Sequence, residues 1–397
     1  MLCRQKPEKP ETRDRPMNTG GIIDIRSEFP VTKQYAYMDV ANKCAPPMVV
    51  ADSLAKFISD QAHTGGDKPL WFRNVARVKS LFADLINASA DEVALVKNTS
   101  EGFNLIANSM VYEPGDNVVT TDLEHPNNMF PWLRLKRFGV EVRVVKSHDG
   151  LVTPEDLAKH VDSRTRLVSV TAVGCVTGAR LDIAKMADVC HANGAPIMVD
   201  GVQSLGMLEF DVRKLNIDFL ASGAYKGLLS PHGLAFLYCK SEIIKNLIPP
   251  VASRANVKVD QTAHKVSHLD VDFRDDAGRF EIGNYCYGGA TAGCVALEFL
   301  LKTGVPCIER HILHHSRLLA DGLIQAGLTP MGPVDDKHRS GIVSVAVPDA
   351  HEVCDRLAER GVICTPREGC VRFSLHGYNN EDDISRALDG LKHALRV

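Results

Sequence analysis

The sequence has no excess of positive charge and no long apolar run. Lysine and arginine together number 46, against 49 aspartate and glutamate residues, so the formal net charge is -3. Without a basic surplus, nothing in the composition favours electrostatic attraction to nucleic acid or to an anionic lipid surface. No stretch reaches the roughly 18 uninterrupted apolar residues that a membrane-spanning helix needs. We therefore expect neither nucleic acid nor a membrane as a partner.

Paired cysteines and a secretory leader are also missing. The eleven cysteines form no CxxC pair, and residues 1–19 carry eight charges and three prolines where a leader would have an apolar core. This composition predicts a disordered tail over 1–19. An odd number of cysteines in a long chain without a signal indicates reduced thiols, so we expect a cytoplasmic location.

One histidine cluster has the helical spacing that could hold a metal. It lies in HILHH and comprises His311, His314 and His315. No acid or thiolate accompanies these histidines at ligand spacing, so a solvated helix face is the favoured interpretation and no metal is expected.

A glycine-rich GxGxxG turn is absent too, which argues against a dinucleotide-binding Rossmann enzyme. The length of 397 residues allows two domains. Short apolar segments alternate with helical ones, a pattern typical of an α/β fold with a parallel sheet. The predicted strands are NVVTT (117–121), VEVRVV (140–145), RLVSVTAV (166–173), PIMVD (196–200), DFLAS (218–222) and LAFLYC (234–239).

The most informative segment runs from 196 to 238. The strand PIMVD ends on Asp200, and Lys226 follows 26 residues later on a turn of small residues. Pyridoxal phosphate (PLP) needs a lysine for its Schiff base and an acid to pair with its pyridinium nitrogen. Taken alone the pair is weak evidence, because an aspartate after a strand is often a helix cap and most lysines are solvated.

The wider pattern resembles a known family. VDGVQSLG, DFLASGAYKGLLSPHGLAFLY, RFEIGN and VRFSLHGYNNEDDI occur in that order. Together they resemble class V of the PLP-dependent aminotransferase superfamily, over about residues 35 to 395. That group contains cysteine desulfurases, isopenicillin N epimerase-like proteins, kynureninases and cysteine C–S lyases.

The resemblance implies the fold-type-I architecture of PLP-dependent transferases, of class α/β. A large PLP-binding domain is expected over 20–283, with a mostly parallel seven-stranded sheet flanked by helices. Its N-terminal segment, 20–50, is expected to line the active site. A small α+β domain is expected over 284–397. The resemblance also implies a homodimer with active sites at the interface.

The resemblance further assigns roles around the cofactor. Lys226 would carry the Schiff base, Asp200 would hold the pyridinium, and His125, before Pro126, would stack on the ring. Gln203 would bond the phenolic oxygen. The phosphate would be held by Thr99, Ser100, Ser222, Tyr225 and Asn284. Thr99 and Ser100 open a helix, where they are also ordinary capping residues. Tyr225 stands where relatives usually carry histidine, which leaves a hydrogen bond but no charge.

The substrate is expected to be an amino acid. Arg372 belongs to a segment that resembles the family motif RxSxxxYN, whose arginine binds the α-carboxylate. Near the front, YMDVANK matches the family segment YLDNAAT only in part, and this segment lines the substrate pocket in relatives. Ala41 and Asn42 are therefore expected at the substrate. The departures at Val40, Asn42 and Lys43 predict an unusual side-chain specificity.

The reaction follows less directly. Desulfurases need a cysteine on a mobile loop, but only seven residues separate Cys364 from Arg372. The leading interpretation is therefore a C–S β-elimination lyase that acts through an external aldimine and a Cα carbanion, with Lys226 as base. Transamination or epimerisation of the same carbanion remains the alternative, followed by cysteine desulfuration. A non-catalytic binding protein is disfavoured because both the lysine and the arginine are present.

Overall fold

The computed structural model describes residues 25–259 and 270–395. The predicted tail over 1–19 lies outside these residues. Within them the strands, in chain order, are β1 (Ala36–Tyr37), β2 (Val93–Val96), β3 (Asn117–Thr121), β4 (Glu141–Val145), β5 (Thr165–Thr171), β6 (Ile197–Asp200), β7 (Phe219–Gly223), β8 (Ala235–Cys239), β9 (Ile342–Ala346), β10 (Val362–Ile363), β11 (Thr365–Arg367) and β12 (Cys370–Ser374).

The α-helices of the same part of the chain separate these strands. They are α1 (Met48–Thr64), α2 (Lys68–Ile86), α3 (Thr99–Ser109), α4 (Phe130–Leu135), α5 (Pro154–Ala158), α6 (Ile183–Ala192), α7 (Ser241–Ile244), α8 (Tyr287–Thr303), α9 (Val305–Gln325), α10 (Ala350–Glu359) and α11 (Glu381–Leu395).

The large sheet has seven strands in the order β2-β8-β7-β6-β5-β3-β4. Strands β3 to β7 pair in parallel, and β8 runs antiparallel to both β7 and β2. Central strands such as β6 and β7 are buried along their whole length, as expected for a parallel sheet covered on both faces. The predicted α/β fold with a mostly parallel seven-stranded sheet is therefore confirmed.

Parallel pairing brings the carboxyl ends of neighbouring strands to one edge. Asp200 ends β6 and pairs with Ala221 of β7 on one side and Thr171 of β5 on the other. The next chain segments after β3, β6 and β7 all leave the sheet at this edge. Ligands of open α/β sheets bind at such an edge.

A smaller C-terminal unit contains a three-stranded antiparallel sheet in the order β11-β12-β9; α10 packs on β11 and β12, and α9 packs on β9. Strand β1, from the front of the chain, pairs in parallel with β10, and Asp39 forms a further bridge to Ser374. The N-terminal segment thus joins the C-terminal unit as well as the large sheet. The domain boundary at 283/284 stays a prediction.

The HILHH segment lies within α9, and its predicted solvated face is wrong for two of the three histidines. His311 and His315 are 4% and 1% exposed. The ring Nε2 of His311 lies 2.6 Å from the carbonyl oxygen of Asn379, and Nδ1 of His315 lies 2.8 Å from the carbonyl oxygen of His311. Their contacts are those of packed core residues.

None of the helices in the described ranges is by itself long and apolar enough to cross a membrane. Helices α8 and α9, which meet at a bend of 75°, satisfy the length and composition requirement only when they are taken together.

Candidate active site

The site is centred on Asp200 and Lys226. Asp200 is 3% exposed at the end of β6, and its Oδ1 accepts a 2.9 Å hydrogen bond from the backbone N–H of Val202. Lys226 is 8% exposed in the turn after β7. This turn lies against the segment that follows Asp200, because a Cβ atom on Gly227 would lie 2.4 Å from the carbonyl oxygen of Leu205. The close backbone contact holds the lysine on the side of the acid.

Burial shifts the pKa values of both Asp200 and Lys226 towards their uncharged forms. It raises the pKa of Asp200 to about 6, an effect that the hydrogen bond from Val202 and the nearby Lys226 oppose. It lowers the pKa of Lys226 to about 8; Asp200 opposes this shift, and Arg372 adds to it. At neutral pH an appreciable fraction of the Lys226 amine is therefore uncharged and nucleophilic.

His125 approaches the same centre from the corner after β3. It caps the short helix at Pro126–Asn128, with Nδ1 accepting a 3.2 Å bond from the backbone N–H of Asn127. Burial, together with the positive charge of Lys226, lowers the pKa of His125 to about 4. The ring is thus neutral at physiological pH, and a neutral imidazole can lie against an aromatic cofactor.

Glu124 holds this corner, and sequence reasoning missed it. Its carboxylate accepts hydrogen bonds from the side chains of Thr121 and Asn128 and from the backbone N–H of Thr171. Thr171 is the β5 partner of Asp200. Glu124 therefore connects the His125 corner to the strand beside the central acid.

Three of the predicted phosphate residues, Thr99, Ser100 and Tyr225, meet at the start of α3. The Asn98 side chain caps the helix by accepting a 2.9 Å bond from the N–H of Glu101, which leaves Thr99 and Ser100 in its first turn. Tyr225 lies beside them. A Cβ atom on Gly223 would lie 2.7 Å from the Tyr225 ring and 3.2 Å from Thr99 Oγ1. The free N–H groups of this turn and the phenol together form a suitable anion site.

Ser222 and Asn284, also assigned to the phosphate, are placed differently. Ser222 is buried in β7, where its Oγ donates a 3.4 Å bond to the carbonyl of Gly223. Asn284 is exposed. Its predicted role at the phosphate of a neighbouring subunit stays a prediction.

Gln203 ties the N-terminal segment to the centre. Its Nε2 donates a 3.0 Å bond to the carbonyl of Ala41, while its buried Oε1 has no hydrogen-bond partner. Ala41 in turn donates its N–H to Ser374 Oγ at 2.9 Å, and Asn42 donates to Asp39 Oδ2 at 3.1 Å. Ala41 and Asn42 therefore lie between the large sheet and β12.

Arg372 reaches the cluster from β12. It is 3% exposed, and its Nη1 donates a 2.7 Å bond to the backbone carbonyl of Cys175. Its Nε is buried without a partner. The guanidinium contributes to the depressed pKa of both His125 and Lys226, so it faces the same space. The Nη1 edge of the planar guanidinium is therefore fixed by a hydrogen bond, and the Nε edge is free to bind an anion.

Two further residues face this space that sequence reasoning left out or set aside. Arg367, at the end of β11, also acts on the pKa of His125 and of Lys226. Cys175 lies beside Arg372, and burial raises the pKa of its thiol although Arg367 and Arg372 oppose the shift. Arg367 precedes a short turn and matches none of the motifs above, so only the folded register reveals it.

Comparison with known proteins agrees with this geometry. The sequence profile described as "Aminotransferase class-V" matches residues 37–387. The chain belongs to this class V aminotransferase family. A protein named probable cysteine desulfurase from Methanothermobacter thermautotrophicus is 31% identical over 392 residues, covering 91% of this chain and 95% of that protein.

Two solved structures illustrate the shared fold. The apo structure of a cysteine desulfurase from Thermococcus onnurineus NA1 has a TM-score of 0.86 at 26% identity, covering 94% of this chain and 97% of that one. A complex of the cystine C–S lyase C-DES with cysteine persulfide has a TM-score of 0.83 at 21% identity, covering 91% and 98%.

The residues present fit PLP. Lys226 offers a buried, partly uncharged amine, and Asp200 offers a buried acid beside it. The unpartnered Oε1 of Gln203 and Nε of Arg372 are polar atoms that a bound ligand would satisfy. The first turn of α3 supplies anion-binding N–H groups. As a member of this class V family, the protein is a PLP-dependent enzyme, and members of the family act on amino acids.

Proposed function

We propose that the enzyme catalyses β-elimination from an amino acid that carries sulfur on Cβ. The observation that carries this proposal is the placement of the thiols near the C-terminal loop. Cys364 Sγ lies 3.6 Å from Cys354 Sγ of α10, and Cys370 Sγ donates to the carbonyl of Arg367 at 2.7 Å. Both thiols are engaged within the C-terminal unit, so neither is presented on a free loop to accept sulfur.

Cys175 is a thiol close enough to the central lysine to act on the pKa of that lysine. Burial raises its pKa, so the thiol is protonated at neutral pH and is a weak nucleophile. Without a thiolate acceptor, sulfur leaves with its substituent as a thiol. Hydrolysis of the remaining three-carbon fragment then gives pyruvate and ammonia.

When bound, PLP supplies an electron sink for the bonds at Cα. We propose that Lys226 holds the cofactor and then removes the Cα proton, for which its lowered pKa suits it. Asp200 would keep the ring nitrogen protonated, and His125 would lie against the ring. Gln203 would bond the phenolic oxygen, and Thr99, Ser100, Ser222 and Tyr225 would hold the phosphate.

Arg372 is proposed to hold the substrate α-carboxylate, with Ala41 and Asn42 beside it. Its Nη1 is fixed by the Cys175 carbonyl, so the free edge points in a defined direction. A fixed carboxylate sets which bond at Cα stands perpendicular to the ring. The orientation of the substrate therefore depends on the planar, two-donor shape of the Arg372 guanidinium and not on its charge alone.

Replacing Arg372 with lysine should lower kcat/KM by roughly 10- to 150-fold, because a planar, charge-assisted pair worth roughly 1.5–3 kcal/mol is lost. The visible absorption of bound PLP should not change. Steady-state kinetics and the absorption spectrum of the variant, beside those of Arg360→Lys on the exposed end of α10, check this. A normal kcat/KM would remove Arg372 from the substrate site.

The Cys364→Ala, Cys370→Ala double variant should keep its activity within about twofold, since the two thiols contact only the C-terminal unit. The measurement is turnover with L-cysteine, which both reactions accept, with PLP content and circular dichroism as controls. If the variant folds and binds PLP but loses turnover, cysteine desulfuration becomes the leading reaction.

Cysteine desulfuration is the second candidate, because the name of the Methanothermobacter relative specifies it. Aminotransfer and epimerisation use the same proton removal at Cα and stay as alternatives. We further propose a cytoplasmic homodimer, in which Asn284 of one subunit would reach the phosphate of the other. The exposure of Asn284 is compatible with that role.

A product assay distinguishes these reactions. The purified enzyme with PLP is incubated with L-cysteine and with S-substituted L-cysteines, and pyruvate, alanine, sulfide, keto acid and D-isomer are measured. Pyruvate and ammonia in equal amounts, together with released thiol, support the lyase. Alanine with protein-bound persulfide would replace the lyase by a desulfurase.

A further inference from the structure

Arg367 and Arg372 lie on the same face of the small sheet. In the β11–β12 register, Thr365 is opposite Arg372 and Arg367 is opposite Cys370. Side chains two residues apart on a strand share a face, so Arg367 follows Thr365 onto the face of Arg372. The two arginines are diagonal neighbours, a relation that places Cβ atoms about 7–8 Å apart.

Neither arginine forms an ion pair with an acid among residues 25–259 and 270–395, and the Nε of each is buried without a hydrogen-bond partner. Arg372 is buried, and buried arginines of folded proteins are normally paired. Arg367 is partly buried, with its Nε enclosed. Two guanidiniums with free donors on one face therefore favour a ligand that brings negative charge.

The acids nearest this face are already engaged. Asp39 accepts hydrogen bonds from Thr365 and Asn42, and its charge acts on Arg372. Asp200 lies at the base of the site, where the cofactor's ring nitrogen would take it. A substrate α-carboxylate bound to the free edge of Arg372 would form an ion pair with that guanidinium. Arg367 would still have no anionic partner.

We propose that Arg367 binds a second anionic group of the substrate, carried on the sulfur substituent that leaves. The preferred substrate is then a cysteine conjugate whose leaving group bears a carboxylate or sulfonate. A planar guanidinium recognises either group through two parallel N–H donors. The inference rests on the proposed β-elimination, and it also names which class of conjugate is eliminated.

Two substrates of nearly equal size test the proposal. S-carboxymethyl-L-cysteine and S-carbamoylmethyl-L-cysteine differ by a carboxylate and its neutral amide. The holoenzyme should prefer the anionic conjugate by roughly 10-fold or more in kcat/KM, as expected for a charge-assisted pair. Arg367→Gln should reduce that ratio to near one, and Arg367→Lys should keep an intermediate ratio. Arg360→Gln, which removes an exposed arginine that directly follows α10, should leave it unchanged.

Binding is measured separately from elimination. Titration of the holoenzyme's visible spectrum with each conjugate gives an affinity even when no pyruvate forms, so failure of the lyase proposal is distinguishable from failure of this one. A wild-type ratio near one by both measurements would overturn the role of Arg367. So would an unchanged ratio in Arg367→Gln, or loss of PLP from that variant with the ratio intact, which would assign Arg367 to the cofactor. If Arg367→Gln does not fold, the ratio of the lysine variant decides.

Discussion

Replacing Lys226 with alanine should abolish the visible absorption of lysine-bound PLP and lower turnover by roughly 100- to 10,000-fold, the range typical of a lost general base. Lys226 is buried beside Asp200, and its lowered pKa supplies the uncharged amine that the chemistry needs. No other residue of the cluster around Asp200 carries an amine. The fold should survive, since the substitution removes a buried cation and adds no bulk.

The measurement is the absorption spectrum after incubation with PLP, beside turnover and circular dichroism. Lys214→Ala is the control, because the Lys214 side chain is 83% exposed and pairs only with Asp211. The control should retain both the absorption and the activity. A Lys226→Ala variant that still held a borohydride-reducible PLP adduct would assign the cofactor to another lysine.

Asp200→Asn should weaken PLP retention and lower kcat by roughly 10- to 150-fold, the equivalent of a charge-assisted hydrogen bond worth roughly 1.5–3 kcal/mol. The amide keeps the size of the side chain but cannot hold a positive charge on the ring nitrogen. KM should change far less than kcat, because Asp200 ends a strand of the large sheet, whereas Arg367 and Arg372, which are proposed to hold the substrate, belong to the small sheet.

Steady-state kinetics of Asp200→Asn with saturating PLP give the changes in kcat and in KM separately. The rate at which PLP is released after dilution measures cofactor retention. Asp188→Asn, an exposed aspartate on α6, is the matched control. An unchanged kcat in Asp200→Asn would contradict the proposal that Asp200 supports the electron sink by holding a positive charge on the ring nitrogen. A rise in KM of roughly 10- to 150-fold with kcat unchanged would indicate instead that Asp200 binds the substrate.

Much of the large sheet could be predicted from the sequence because its strands are short apolar runs separated by helices. The six predicted segments correspond to β3 through β8. Strand β2 was missed, since VALV has only four residues. The meeting of Asp200 and Lys226 was predictable, because both follow strands that end at one edge of a parallel sheet.

The remainder of the candidate site depends on contacts between distant parts of the chain. Arg372 was identified only through its motif, because no periodicity indicates that β12 faces the carbonyl of Cys175. The position of Arg367 on the same face as Arg372 follows from the β11–β12 register, and the sequence of the short turn between these strands does not reveal that register. The burial of His311 and His315 was missed because helical spacing alone does not say which face packs on α11.

The most direct test of the account is to locate the cofactor chemically in the wild-type enzyme. The PLP-loaded protein is reduced with borohydride, digested, and its pyridoxyl-bearing peptide is sequenced by mass spectrometry. The account predicts the label on Lys226 alone, in the peptide that follows β7. A label on Lys43 or Lys97, with Lys226 unmodified, would contradict it.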